Sequence, residues 1–197
     1  SGQGAENLAM SLLWIADGAL PQALPLRAGL AVIKALDFLY PALGRRLALK
    51  WPNDILVDVH DLKDAFPRRA GDPFPGWRKV CGILCEGSFD RVFIGIGVNI
   101  NTRSFTPELA QKASSLYLIN AALPGDSQFQ DAELAAQGET AECHVKERNR
   151  LAQAILGTLY KCLGPGYPWK RECEERLWRR GQEVSLERGM ALSGCSL

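Results

Sequence analysis

Histidine is almost missing from this chain of 197 residues: only His60 and His144 occur, both in polar, loop-like stretches. A histidine-based triad or metal cluster therefore has little to be built from. Net charge is nearly absent too, with 23 Lys and Arg against 22 Asp and Glu, a balance of +1. No basic stripe carries interleaved aromatics, so nucleic acid is not an expected partner. No apolar run approaches the ~18 residues needed to span a bilayer, and no signal peptide is visible. A soluble, cytoplasmic protein without a membrane partner is expected. The six cysteines, at 81, 85, 143, 162, 173 and 195, form no Cys-x-x-Cys pair and read as reduced thiols. No internal repeat is apparent.

A hydrophobic content of 47% over this length suits one domain with room for an appendage. The most informative stretch is Lys50-Trp51-Pro52-Asn53-Asp54. Pro52 fixes its own φ and pushes Trp51 toward an extended conformation. Asn53 and Asp54 favour turns, because their side chains bond nearby backbone groups. Leu47-Ala48-Leu49 before and Ile55-Leu56-Val57 after read as strands, which puts the polar residues at a strand end. Taken alone, the pentapeptide reads better as a β-turn with a snorkelling lysine and a half-buried tryptophan.

Residues 91–101 alternate strictly. Val92, Ile94, Ile96, Val98 and Ile100 share one face, a core signal; Phe93, Gly95, Gly97, Asn99 and Asn101 share the other. Glycine inside a strand marks a close approach by a ligand or another backbone. Two on one face clear a flat shelf with amides at its end, suited to a planar base whose edge an amide reads. A helix packed tightly on the glycines is the competing reading, and Gly-x-Gly here lacks the third glycine and following helix of a dinucleotide fingerprint. Residues 78–86 read as a third strand, with Val80, Gly82, Leu84 and Glu86 on one face and Lys79, Cys81, Ile83 and Cys85 on the other. Lys79 heads that strand, where an ammonium reaches a ligand without being buried. A lysine at a strand edge also serves simply to discourage aggregation.

Leu26, Gly29, Leu30, Ile33, Leu36 and Tyr40 recur at helical spacing after Pro25, which predicts a helix over 25–41, buried against the sheet. Thr106-Pro107-Glu108 starts a second, shorter one. Residues 122–144 are polar and acidic and read as a loop; 147–163 predict a third helix ended by Gly164-Pro165-Gly166, and 169–180 a fourth.

Three of these segments, in this order, resemble the catalytic domain of the biotin–protein ligases. Residues 50–54 look like that family's Lys-Trp-Pro-Asn-Asp signature, 79–86 its Lys-x-x-Gly-Ile-Leu-x-Glu strand, and 94–99 its Ile-Gly-x-Gly-x-Asn strand. Asn7-Leu8-Ala9-Met10-Ser11 is similar to its Asn-Leu-x-x-Ser strand; Ala113-Ser114-Ser115-Leu116 and a helix over 148–159 match more loosely. The resemblance implies an α+β fold: a mixed, largely antiparallel sheet with packed helices, of the class II aminoacyl-tRNA synthetase-like, biotin–lipoate ligase type. It implies an ATP-dependent ligase that forms biotinyl-5′-AMP and passes biotin to a lysine of an acceptor, typically a biotin carboxyl carrier protein domain. Lipoate- or octanoate-using relatives share the fold but lack the Trp-Pro-Asn-Asp run. Biotin, ATP and Mg²⁺ are the implied small partners, and a homodimer is compatible with the resemblance.

Carried over residue by residue, the resemblance makes Lys79 and Lys50 catalytic and gives Lys79 and Gly82 to biotin. It gives Asn53, Asp54, Gly95, Gly97 and Asn99 to ATP or the adenylate, and Asp54 also to Mg²⁺. Trp51 reads as a packing residue. Arg148 reads as an arginine stem lying along the Leu151/Ile155/Leu159 stripe.

The chain departs from the family pattern in three places. The Gly-Arg-Gly-Arg-x-Gly-Arg loop expected before the Asn-Leu strand does not stand in Ser1-Gly2-Gln3-Gly4. Twenty-four residues, 55–78, separate Asp54 from Lys79, where the family has a short hairpin. Arg180-Gly181-Gln182-Glu183-Val184-Ser185-Leu186 resembles the first strand of a small SH3-like domain. The expectation is a catalytic core over 1–178 lacking its N-terminal part, then the beginning of a truncated SH3-like domain over 179–197, with poor activity as it stands. The alternative is a catalytically impaired biotin- or nucleotide-binding remnant or interaction module.

Overall fold

Five segments of strand periodicity pair into one antiparallel sheet in the order β1-β5-β4-β3-β2. They are β1 (Leu8–Ile15), β2 (Leu47–Lys50), β3 (Asp54–Asp58), β4 (Trp77–Ser88) and β5 (Arg91–Val98). The computed structural model describes residues 7–68, 70–124 and 141–181. Its helices are α1 (Leu24–Leu39), α2 (Pro107–Ala110), α3 (Leu116–Ala122), α4 (Ala141–Leu163) and α5 (Trp169–Arg176). Every pairing within the sheet is antiparallel; the parallel component is two isolated bridges, Leu49 with Leu177 and Lys79 with Ala113.

The core lies on one side of the sheet. Val92, Ile94, Ile96, Val98 and Ile100 are all at most 3% exposed, as their alternation predicts. α1 packs on that face and α4 packs on α1, so α1 is apolar nearly all round and its Ala28, Ala31, Val32, Ile33, Ala35 and Leu36 are inaccessible. The approach of α1 to the sheet depends on Gly29. A Cβ there would stand 2.6 Å from Leu49 Cδ2 and 3.3 Å from Ile83 Cδ1. Gly29→Val is therefore expected to destabilise the chain by about 1–3 kcal/mol through overpacking. Urea unfolding monitored by circular dichroism measures it.

α3 is an element that composition does not announce. It starts because Ser115 Oγ accepts from the Leu118 amide at 3.1 Å, a side-chain N-cap. α4 begins at Ala141, not 147, so residues 141–144, His144 included, belong to a helix and not to a loop. The apolar stripe starts at Leu151, but the Glu-, Lys- and Arg-rich turns before it favour helix without burial. α5 ends at Arg176; Leu177 and Trp178 leave it to run along β2, where the Trp178 amide donates to Leu49 O at 2.8 Å. Most of the stretch assigned to a loop, 125–140, and all but the first residues of the segment assigned to a truncated SH3-like domain, 182–197, lie outside the described residues, as do residues 1–6. No helix among the described residues is long and apolar enough to cross a membrane. Cys81, Cys85, Cys162 and Cys173 are free, and burial pushes the Cys81 thiol up to about 12.

One correction concerns the faces of β4. Ile55 pairs with Cys81 but Leu56 pairs with Lys79, so Val80 is the extra residue of a β-bulge. Simple alternation puts Lys79 with Cys81, Ile83 and Cys85. The bulge resets the count: Cys81 and Ile83 face the core, while Lys79 joins Gly82 and the 57%-exposed Leu84 on the open face.

Candidate functional site

The open face is laid out in rows by strand register. Across the strands, Lys50 pairs with Asp54, Asp54 with Gly82, Gly82 with Gly97, and Gly97 with Ala9. The next row runs Leu84, Gly95, Ser11. One end of the first row is thus ionic and the rest has almost no side chain. Three glycines, an alanine and a serine leave a floor of backbone. Lys79, Asn53, Gly82, Gly95 and Gly97 line a single hollow of about 480 Å³, together with Ala9, Met10, Ser11, Ile83, Leu84 and Ile96.

The Trp51–Pro52 peptide is cis in the turn joining β2 to β3. Asn53 ends that turn tied to β4 from both directions: its Nδ2 donates to Ile83 O and its carbonyl accepts from the Ile83 amide, each at 2.9 Å. The next residue, Asp54, carries the electrostatics. Its Oδ1 lies 2.5 Å from Lys79 Nζ and its Oδ2 3.2 Å from Lys50 Nζ. The carboxylate is 13% exposed, while Lys79 is 41% and Lys50 23% exposed. Two ammoniums around one carboxylate leave an excess positive charge beside the glycine floor, and Lys50 is further held 5.2 Å over the Phe74 ring. The arrangement suits an anion that takes Lys79 from Asp54.

The same set does not fit a protein-held Mg²⁺. Asp54 already serves two ammoniums, whose charge repels a second cation, and no group of three or more His, Cys, Asp or Glu among the described residues could hold a metal.

The remaining sequence-predicted residues fall elsewhere. Asn99 stands just past β5, its amide nitrogen donating to Ser114 O at 3.0 Å. It is not in the wall of the hollow. Trp51 is 62% exposed, so the packing role expected of it is not seen. Arg148 is half-buried on α4, on the helix side of the sheet, its Nε without a partner. No place in the site is expected of Ala9 or Ser11 from the sequence. The signal was there, two small residues at alternate positions of β1 between Leu8, Met10 and Leu12, but only pairing puts them opposite Gly97 and Gly95.

No protein-family model matches the chain. A solved biotin protein ligase from Aquifex aeolicus is 26% identical over 92% of this chain and 66% of its own, with a TM-score of 0.58. A second structure of the Aquifex aeolicus ligase, in complex with biotin and ATP, is 24% identical and covers 87% of this chain and 58% of its own, with a TM-score of 0.53. The Leishmania major biotin protein ligase in complex with biotin is 21% identical, covers 93% and 66%, and has a TM-score of 0.59. The last two show likeness of fold. The chain thus spans between 58% and 66% of the length of these proteins. Over nearly all of its own length, the chain resembles the biotin protein ligases and carries their α+β fold.

Proposed function

We propose that this chain is the core of an ATP-dependent ligase that activates biotin as biotinyl-5′-AMP and transfers it to a lysine of a carrier-protein domain. The observation that carries the reading is the row Lys50, Asp54, Gly82, Gly97 with Lys79 brought alongside by the Val80 bulge. A flat ring system needs a floor without side chains, and the carboxylate beside it needs a cation that is held but not spent. The Aquifex aeolicus relative binds biotin and ATP, and a Leishmania major structure contains biotinyl-5-AMP.

In the first step a biotin carboxylate oxygen bonds to the α-phosphorus of ATP and the bond to pyrophosphate breaks. In the second a lysine amine attacks the acyl carbon and AMP leaves. Two anions meeting at ~4 Å repel by about 4 kcal/mol at an effective dielectric of ~20. Lys79 offsets this by exchanging Asp54 for substrate oxygens, and Lys50 keeps Asp54 neutralised when Lys79 leaves. Asn99, just past the end of β5, reads the adenine edge. Mg²⁺ arrives, on this reading, with the ATP phosphates.

A core over 1–178 of class II aminoacyl-tRNA synthetase-like type, an SH3-like segment from 179 on, cytoplasmic location and pairing of two copies belong to the same reading. Calorimetry with biotinyl-5′-AMP tests the site directly. Lys79→Ala is expected to weaken binding by about 1.5–3 kcal/mol, or ~10- to 100-fold, the worth of hydrogen bonds to a charged group. Unchanged affinity would return Lys79 to the status of an ordinary edge lysine.

A further inference from the structure

Lys50, at the ionic end of the row, meets a column of aromatic rings. Its ammonium stands 5.2 Å over the Phe74 ring, and the Trp178 ring meets Phe74 at 5.6 Å and 84°, edge to face. The Arg179 guanidinium lies 4.4 Å over the Trp178 ring. Phe74 belongs to the excursion between β3 and β4, and Trp178 to the segment after α5, so two segments outside the sheet converge on one lysine. Both rings are fixed by their backbones. The Phe74 amide donates to Asp72 Oδ1 at 2.9 Å, and its carbonyl accepts from the Trp77 amide at 2.8 Å and from Arg78 Nη1 at 3.4 Å. Asp72 and Arg78 are themselves a buried ion pair, each 3% exposed. The Trp178 amide donates to the carbonyl of Leu49, next to Lys50, at 2.8 Å.

We propose that Phe74 is a positioning residue of the adenylate site: its ring, braced by Trp178, holds the Lys50 ammonium on Asp54. The inference rests on the adenylation reading and adds to it. A lysine ammonium on its flexible four-carbon stem takes a fixed position only from partners at its tip. Here they are the Asp54 carboxylate, with Oδ2 at 3.2 Å, and the negative face of the Phe74 ring. When Lys79 turns from Asp54 to substrate oxygens, Lys50 is left to neutralise that carboxylate. A Lys50 free to swing away would leave Asp54 competing with the ligand for Lys79. An aromatic ring holds the ammonium without cancelling its charge, whereas a second carboxylate would remove the positive field that the site needs.

The test combines calorimetry with biotinyl-5′-AMP and ¹H–¹³C spectra of the lysine ε-methylenes, both on the whole chain. Phe74→Leu removes the ring but keeps apolar bulk; Phe74→Tyr keeps the ring. Phe74→Leu is expected to weaken adenylate binding ~3- to 10-fold, between an exposed and a desolvated cation–π contact, and Phe74→Tyr to stay within ~2-fold of the parent. In a Lys50→Met background, Phe74→Leu is expected to have no further effect, which a ring serving only the fold would not show. In the spectra, the methylene lost in Lys50→Met is expected upfield in the parent and in Phe74→Tyr. It returns to the common lysine position in Phe74→Leu, with or without ligand. Unchanged affinity in Phe74→Leu, an equal loss in the Lys50→Met background, or a Lys50 methylene indifferent to the ring would each overturn the proposal. A parent chain that binds no adenylate but shows the ring-shifted methylene would sink the adenylation reading and still support the hold of Phe74 on Lys50.

Discussion

Replacing Gly97 with valine is expected to leave the fold standing and to remove tight binding of the adenylate. A Cβ built at Gly97 meets its nearest atom, Gly82 O, only at 4.0 Å, and the backbone there needs no positive φ. Valine also prefers a strand to an extent of up to ~1 kcal/mol, so the thermal midpoint holds or rises. The branched side chain nevertheless stands on the shelf between Gly82 and Ala9, where the ligand must lie. Forcing a ring past it costs about 3 kcal/mol, the upper end for overpacking, or ~100-fold in affinity. Calorimetry with biotinyl-5′-AMP, paired with thermal unfolding, separates the two effects. An unchanged affinity in a folded Gly97→Val protein would mean that the ligand does not use this floor. Gly29→Val is the control of opposite kind: it strikes the fold, from the other side of the same sheet.

Asp72→Ala is expected to produce the largest loss of stability, about 3–5 kcal/mol, because it strands a buried guanidinium. Both partners of the Arg78–Asp72 pair are 3% exposed, with Nη1 3.0 Å from Oδ2. Asp72 also fastens the excursion, its Oδ1 accepting from the Phe74 amide at 2.9 Å. For a chain of this size each kcal/mol moves the midpoint by roughly 2–4 °C, so calorimetric melting resolves the effect easily. The double variant Asp72→Leu/Arg78→Met is expected to recover most of the loss, since an apolar pair does well where half an ion pair does not. A loss below ~1 kcal/mol for Asp72→Ala would show that Arg78 finds water instead, as exposed pairs do.

Much of the framework could be read residue by residue. Period-two apolar alternation in β5 and period-3.6 recurrence in α1 are local consequences of backbone geometry, and Val92 to Ile100 and Leu26 to Leu36 bury as that geometry requires. The site was legible as a set of residue types: glycines on one face of β5, and a lysine, an asparagine and an aspartate bunched at a turn. Capping was less visible. α3 depends on one Ser115 hydroxyl, and α4 on charged turns whose helicity leaves no apolar signature.

What periodicity could not supply was the position of Lys79. Counted along the strand, it belongs with Cys81 and Ile83, facing the core. Only when β3 pairs Leu56 with Lys79 and Ile55 with Cys81 does Val80 become surplus and turn the lysine over to Gly82 and Asp54. Side-chain direction in a strand is local, but register is a property of two strands at once, and one unpaired residue reverses everything on its far side. The composition of this site was therefore written in the chain, and its convergence came from hydrogen bonds between segments some twenty residues apart.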